Sequence, residues 1–188
     1  MKEKTILMTA TDIRRVISRL ASRIIADHPR NDEIILLGIR TRGVPLAERL
    51  ARKMAESHGV HVPVGALDIT FYRDDLSRIA PHPIVKKTDL PLDITDRTVI
   101  LVDDVLYTGR TIRAALDHLM DYGRPQRVRL VVLVDRGHRE LPICPDYVGK
   151  TITTEKGDIV HVMLAESDGV DQVVLVRQGE KHGFIGER

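Results

Sequence analysis

Residues 99–111, Val-Ile-Leu-Val-Asp-Asp-Val-Leu-Tyr-Thr-Gly-Arg-Thr, constrain the fold more than any other stretch. Val99 to Val102 is a continuous apolar run. That is the pattern of a strand buried on both faces, as in a parallel sheet covered by helices. Asp103 and Asp104 stand where the run stops, which predicts them at the strand's carboxyl end, the side of an open α/β sheet where ligands bind. Thr108-Gly109-Arg110-Thr111 then opens a helical pattern from Ile112 to Leu116. Such a turn aims backbone amides and the positive end of the helix dipole outward, which suits a phosphate. The acids suit hydroxyls or a hydrated Mg²⁺, so a sugar phosphate would engage both halves. Each half occurs alone in many proteins; their adjacency and order carry the weight.

The length of 188 residues fits one domain with a sizeable core. With a net charge of only +2, nucleic-acid binding would need a local basic face. Cys144 is the only cysteine, so no internal disulfide forms and a reducing cytoplasm is expected. No apolar stretch is long enough to span a membrane, and Met1-Lys2-Glu3-Lys4 is not followed by a signal-like segment. Tryptophan is absent and aromatics are 3%, which argues against an aromatic platform for stacking bases.

Thr11 or Asp12 is expected to cap a first helix. In it Ile13, Val16, Ile17, Leu20, Ile24 and Ile25 share an apolar face, with Arg14, Arg15, Ser18, Arg19, Ser22 and Arg23 mostly on the other. A basic face of this kind is either simply solvated or a surface for RNA phosphates. Glu33 to Ile39 reads as a buried strand running into Gly38-Ile39-Arg40-Thr41-Arg42-Gly43, with a helix following through Leu46, Leu50 and Met54. Glycines bracketing two arginines at a strand end make a tight anion-binding turn, or an exposed basic one. Val62 to Thr70 reads as the next strand. From Phe71 to Ile94 the pattern gives way to charged, proline-containing sequence, either a functional lid or a disordered segment, part of which could pair as a hairpin.

The helix after the central motif is expected to stop near Tyr122-Gly123-Arg124-Pro125. Val128 to Val134 is another apolar strand, followed by Asp135-Arg136-Gly137-His138-Arg139-Glu140. Asp146 to Thr151, Ile159 to Leu164 and Val170 to Val176 read as short strands completing a smaller hood. Alternating strands and helices predict an α/β domain over residues 1–188, with a central, mostly parallel sheet flanked by helices. The lid falls at about 71–94, and the hood comes from the N-terminal and 135–188 segments.

The stretch 99–111 resembles the phosphoribosyl pyrophosphate (PRPP) motif of type I phosphoribosyltransferases. Three further segments stand in the family's order: Gly-Ile-Arg-Thr-Arg-Gly, Asp-Ile-Thr-Phe-Tyr-Arg-Asp-Asp-Leu-Ser and Val-Asp-Arg-Gly-His-Arg-Glu-Leu-Pro-Ile. They extend the resemblance over nearly the whole chain, to the bacterial pyrimidine operon attenuation regulators that are also uracil phosphoribosyltransferases. The last segment, residues 134–143, makes the match specific. The resemblance implies a type I phosphoribosyltransferase fold and the reaction of uracil with PRPP to give UMP and pyrophosphate, with Mg²⁺. Asp103 and Asp104 would be catalytic, holding the ribose hydroxyls directly or through the hydrated metal. Val105, Leu106 and Tyr107 would line the nucleotide site, and Thr108, Gly109, Arg110 and Thr111 would bind the 5′-phosphate. Arg40, Thr41 and Arg42 would receive pyrophosphate, on a loop with a non-proline cis peptide near Arg40-Thr41. Arg73, on the mobile loop, would reach pyrophosphate as well, under a lid that keeps water from the sugar carbon. Val134, Asp135, Arg136, Gly137 and His138 would form the uracil pocket. Tyr107 stands where purine-using relatives tend to place an aspartate. A phenol with an ordinary pKa of about 10 is a poor base, which favours uracil, a comparatively acidic NH compound.

The resemblance also implies that a homodimer or larger homo-oligomer presents a basic face to a hairpin in pyrimidine-operon leader RNA, with UMP or UTP strengthening the binding. Arg14, Arg15, Ser18, Arg19, Arg23, Arg139 and Lys150 are the residues it points to, with Ser22 a further neutral donor. Such binding would weaken with salt and read loop bases and shape. Cys144 stands where several members of that family carry an arginine, which removes one cation. The alternatives are a salvage enzyme without RNA control, a PRPP- or UMP-sensing RNA-binding regulator with little turnover, and a purine transferase.

Overall fold

The computed structural model describes residues 3–29, 33–72 and 87–177. The apolar runs β2 (Ile34–Ile39), β3 (Val64–Leu67), β4 (Thr98–Leu106), β5 (Arg127–Asp135) and β6 (Tyr147–Thr151) pair in parallel, in the order β3-β2-β4-β5-β6. On one face α1 (Ala10–Asp27) and α2 (Gly43–His58) set Ile13, Leu20, Ile24, Leu46 and Leu50 among Leu36, Ile100, Val102 and Val131. On the other face α3 (Arg110–Leu119) sets Ile112, Ala115 and Leu119 among Ile35, Leu37, Val99, Leu101 and Val132. Successive strand residues face opposite layers, so a strand covered on both sides must be apolar at every position. β2 meets that condition over its whole length.

A second, antiparallel sheet in the order β1-β8-β7 forms the hood, from β1 (Glu3–Met8), β7 (Ile159–Met163) and β8 (Gln172–Arg177). A single helical turn, α4 (Ala165–Asp168), joins β7 to β8. Val162, Leu164 and Val173 of this region pack into the same core cluster as α1 and α2.

Several expectations are corrected. The segment read as a hood strand from Asp146 to Thr151 is β6, the edge of the main sheet, parallel to β5. Asp146 draws it there by accepting the Leu130 amide at 2.8 Å and the Arg129 guanidinium. Gly149 permits the close pairing, because a Cβ at that position would stand 2.4 Å from the Leu133 carbonyl oxygen. α1 is capped by Thr9, not Thr11 or Asp12. Asp12 is the reciprocal partner, accepting the Thr9 amide at 2.9 Å while its own amide donates to the Thr9 hydroxyl at 3.3 Å. β3 covers only part of 62–70, because Asp68 takes the Thr70 amide at 2.9 Å and turns the chain. Of the segment 71–94, residues 73–86, Arg73 among them, lie outside the described residues. Its far end returns to β3, where Ala66 and Asp89 exchange two 2.8 Å backbone hydrogen bonds.

Candidate active site

Strand order assembles the site. β2, β4 and β5 are neighbours and run parallel, so the loops leaving their carboxyl ends stand side by side. These are residues 40–42, 107–111 and 136–140. β3 pairs with one edge of β2 and β4 with the other, so the winding reverses between β2 and β4, and such crevices hold ligands.

β4 continues to Leu106, so the acid pair lies within the strand's last residues. Leu106 is buried in the core on one face of the sheet and Val105 packs against the core on the other, so the loop begins at Tyr107. Asp103 is 6% exposed and its Oδ1 accepts the Asp104 amide at 2.9 Å. Asp104 is half-buried and accepts the Val105 amide at 2.9 Å. Burial pushes the Asp104 carboxyl above the usual carboxylate range; hydrogen bonding to Asp103 and to the Val105 amide, and the charge of Arg42, oppose that rise. Asp104 is therefore the accessible acid, with Asp103 backing it. Among the described residues no three His, Cys, Asp or Glu side chains gather into a metal cage. Two adjacent carboxylates fit Mg²⁺ in its common manner, with water and substrate oxygens filling the other positions.

At the start of α3, Gly109 adopts φ 94°, a left-handed conformation that other residues resist. The Thr108 hydroxyl accepts the Arg110 amide at 3.4 Å, and no side chain among the described residues meets the Thr111 and Ile112 amides that follow, which leaves them available to an anion. The Thr108 carbonyl accepts the Glu140 and Leu141 amides at 2.9 and 3.2 Å, which ties this loop to the one after β5. The Arg110 guanidinium pairs with Glu140 at 2.9 Å, so Arg110 contributes chiefly its main chain.

In the loop after β2 the Arg40–Thr41 peptide is cis. The bracketing glycines serve close approach: a Cβ on Gly43 would stand 2.2 Å from the Val102 carbonyl oxygen, and one on Gly38 2.4 Å from Val44 Cα. Arg40 donates to the Lys87 carbonyl at 3.0 Å, and its buried Nε has no partner among the described residues. Arg42 forms a two-pronged bond to Asp168 of the hood, at 3.1 and 2.8 Å. Arg49 does the same to Glu166 and Asp171, so two arginines of the main domain hold the hood's turn.

At the end of β5 the Val134 side chain is fully buried in the core, which leaves only its backbone to face the site. Arg136 is also buried, and its guanidinium lies 4.1 Å from the Tyr107 ring centroid. It donates to the Glu155 carbonyl at 3.0 Å, and its Nε has no partner among the described residues. His138 sits at φ 61° after Gly137 at φ 74°, with Nε2 2.6 Å from the Thr154 carbonyl oxygen. The Tyr107 hydroxyl donates to the Lys156 carbonyl at 3.3 Å. Residues 154–156 therefore stand against Tyr107, Arg136 and His138 on this side of the site, and no periodicity or motif marks them in the sequence.

Arg139, one of the residues expected to face RNA, braces the loop after β5 in this structure. It is half-buried, pairs with Asp135 at 2.6 Å and donates to the carbonyls of Tyr107, Gly137 and Ile143. The other basic residues do gather along α1 and its neighbours. Arg14 donates to the Thr11 hydroxyl at 2.9 Å, Arg15 lies 3.7 Å from Asp12, and the Ser18 hydroxyl donates to the Arg14 carbonyl at 3.1 Å. Ser22 meets His58 Nε2 at 3.0 Å. Arg19 donates to the Gly149 carbonyl, Lys150 to the Leu7 carbonyl at 2.9 Å, and Arg23 lies 5.5 Å from the Tyr147 ring centroid.

Residues 7–167 match the family model described as phosphoribosyl transferase domain. A bifunctional protein PyrR of Chloroflexus aurantiacus is 57% identical over 175 residues, covering 93% of this chain and 96% of its own. One from Deinococcus radiodurans is 56% identical over 172 residues, with 92% and 94% covered. A solved hypoxanthine phosphoribosyltransferase of Trypanosoma cruzi shares the fold with a TM-score of 0.70 at 20% identity, covering 92% of this chain and 96% of that one. All three loops lie within residues 7–167, and these relatives are more than half identical over more than nine-tenths of the chain, so this chain belongs to the phosphoribosyl transferase domain family and, within it, to the bifunctional PyrR proteins.

Proposed function

We propose that the protein transfers the phosphoribosyl group of PRPP to uracil, giving UMP and pyrophosphate, and that it also binds the leader RNA of pyrimidine-synthesis operons in a manner strengthened by uridine nucleotides. One observation carries the first half: an anion loop, an acid pair and a base-side wall stand at three adjacent parallel strand ends in the order the reaction needs. The amides of residues 108–111 take the 5′-phosphate. Asp104, backed by Asp103, accepts hydrogen bonds from the ribose hydroxyls. That places the sugar's C1 between the loop of Arg40 and Arg42 and the wall formed by Tyr107, Arg136 and His138. Uracil N1 bonds to C1, the C1–O bond to pyrophosphate breaks with its electron pair leaving on oxygen, and the N1 proton is released. Charge grows on the departing pyrophosphate, so guanidinium groups and the amides of the 40–42 loop stabilise the transition state more than the ground state. Arg42 reaches pyrophosphate by exchanging one anionic partner, Asp168, for another. Mg²⁺ bound with PRPP, held by Asp103 and Asp104, would neutralise part of the leaving group's charge.

Support for the second half is the group of arginines along α1, with Lys150 close by. Among the described residues no helix is long and apolar enough to cross a membrane, and we place the protein in the cytoplasm as a homodimer or larger homo-oligomer. Steady-state UMP formation from uracil, PRPP and Mg²⁺, with hypoxanthine and guanine as competitors, tests the first half. No turnover, or preference for a purine, refutes it. A gel shift on the leader RNA at low salt, with and without UMP, tests the second. Absence of UMP-enhanced binding leaves the transferase alone.

A further inference from the structure

The amino ends of the parallel strands carry another cleft, at the end of the sheet opposite the transferase loops. It has a volume of about 340 Å³ and is lined by Arg23 and Asp27 of α1, His28, Arg127 and Arg129 of β5, and Asp146 and Tyr147. Arg127 and Arg129 are two residues apart in a strand and so share a face. Arg23 continues the basic side of α1, one turn beyond Arg19.

Both acids in the cleft are engaged. Asp146 holds the Arg129 guanidinium and the Leu130 amide. Asp27 faces the Tyr147 hydroxyl, which lies 3.2 Å from His28 Nε2. His28 and Tyr147 are both buried, at 8% and 3% exposure, and form the cleft's polar floor. Burial holds the His28 imidazole below its usual range, and Arg129 and Arg127 push it further down against Asp27 and Asp146. Two guanidinium groups, Arg23 and Arg127, have no carboxylate partner among the described residues. A concave site with two uncompensated guanidinium forks and a buried hydroxyl–imidazole floor matches the oxygens of a phosphate.

We propose that this cleft is a phosphate-binding site separate from the transferase loops, taking a phosphate carried by RNA that crosses the basic face of α1 or by a free nucleotide. The RNA source rests on the RNA reading above; the nucleotide source does not. Arg127 is exposed and belongs to neither the transferase site nor the α1 face, so Arg127→Ser and Arg127→Glu are expected to fold and to keep the transferase rate. Two probes separate the sources. Anisotropy of labelled leader RNA between about 50 and 200 mM salt is expected to show the slope of log K against log salt flattened by about one in Arg127→Ser. Equilibrium dialysis with labelled UMP is expected to show two sites per wild-type chain and one in Arg127→Glu if a free nucleotide is the ligand. A changed slope with one UMP site throughout assigns the cleft to RNA, and loss of a second UMP site assigns it to nucleotide. If wild-type protein binds no leader RNA, the RNA reading fails by itself and dialysis alone decides the cleft. Unchanged slope together with unchanged UMP stoichiometry overturns the proposal.

Discussion

Gly43→Ala is expected to disable the enzyme through backbone geometry, with no charge or ligand group removed. Gly43 opens α2 directly behind residues 40–42, the loop proposed to take pyrophosphate. A Cβ there would lie 2.2 Å from the Val102 carbonyl oxygen, 3.2 Å from Val102 C and 3.3 Å from Gly38 C. Real Cβ contacts essentially never fall below 3.0 Å, so a gap of at least ~0.8 Å must open. Val102 cannot yield, because it is the central strand's pairing partner for Gly38 on one side and Val131 on the other. The displacement therefore falls on residues 40–42 and the first turn of α2. Overpacking of this kind costs about 1–3 kcal/mol, and a misplacement near 1 Å costs on the order of 100-fold in rate. Urea unfolding is expected to show the stability loss, and UMP formation a fall in kcat/KM for PRPP of roughly that size. Gly157→Ala is the control: nothing lies within 4 Å of its Cβ, so stability is expected to stay within about 0.5 kcal/mol. Wild-type kinetics and unfolding midpoint in Gly43→Ala, or an equal loss in Gly157→Ala, would refute the steric reasoning.

Asp104→Asn is expected to lower kcat/KM for PRPP by roughly 100-fold while the melting temperature holds; unchanged PRPP affinity and rate would remove Asp104 from the site. Arg139→Met strips a half-buried carboxylate and three carbonyls of their donor, a loss of about 3 kcal/mol. Denaturation together with the KM for uracil checks it, and a change below about 0.5 kcal/mol contradicts the bracing role. Hydrogen bonds from Arg49 hold Glu166 and Asp171 below the usual carboxylate range, and a hydrogen bond from Arg42 does so for Asp168. Groups with lowered folded values contribute stability that is complete above their ordinary values and is lost as pH falls through the folded ones. The hood is therefore expected to loosen first, below about pH 4, with amides of β7 and β8 losing hydrogen-exchange protection before those of β2 and β4. Simultaneous loss in both sheets would contradict a separate clamp.

Sequence and tertiary structure divide the protein along a physical line. The residues alone determined the buried strands, the amphipathic α1, the acid pair, the glycine turn opening α3 and the glycine-bracketed arginines. Each of these depends on side-chain period or on local turn chemistry, which a few neighbouring residues carry. The resemblance that placed Arg40, Arg42, Asp103, Asp104 and Thr108 in one site rested on the same short segments. Tertiary structure decided what depends on distant partners. It set β6 at the edge of the main sheet, since Asp146 finds Leu130 and Arg129 across the chain. It gave Arg139 intramolecular partners, buried the Val134 side chain, and brought residues 154–156 against Tyr107, Arg136 and His138. It also gave Arg42 a partner in the hood while leaving Arg127 without one among the described residues. Periodicity shows which face of an element is buried. Which charge meets which carbonyl or carboxylate is decided by strand order and packing, because those contacts join residues far apart in the chain.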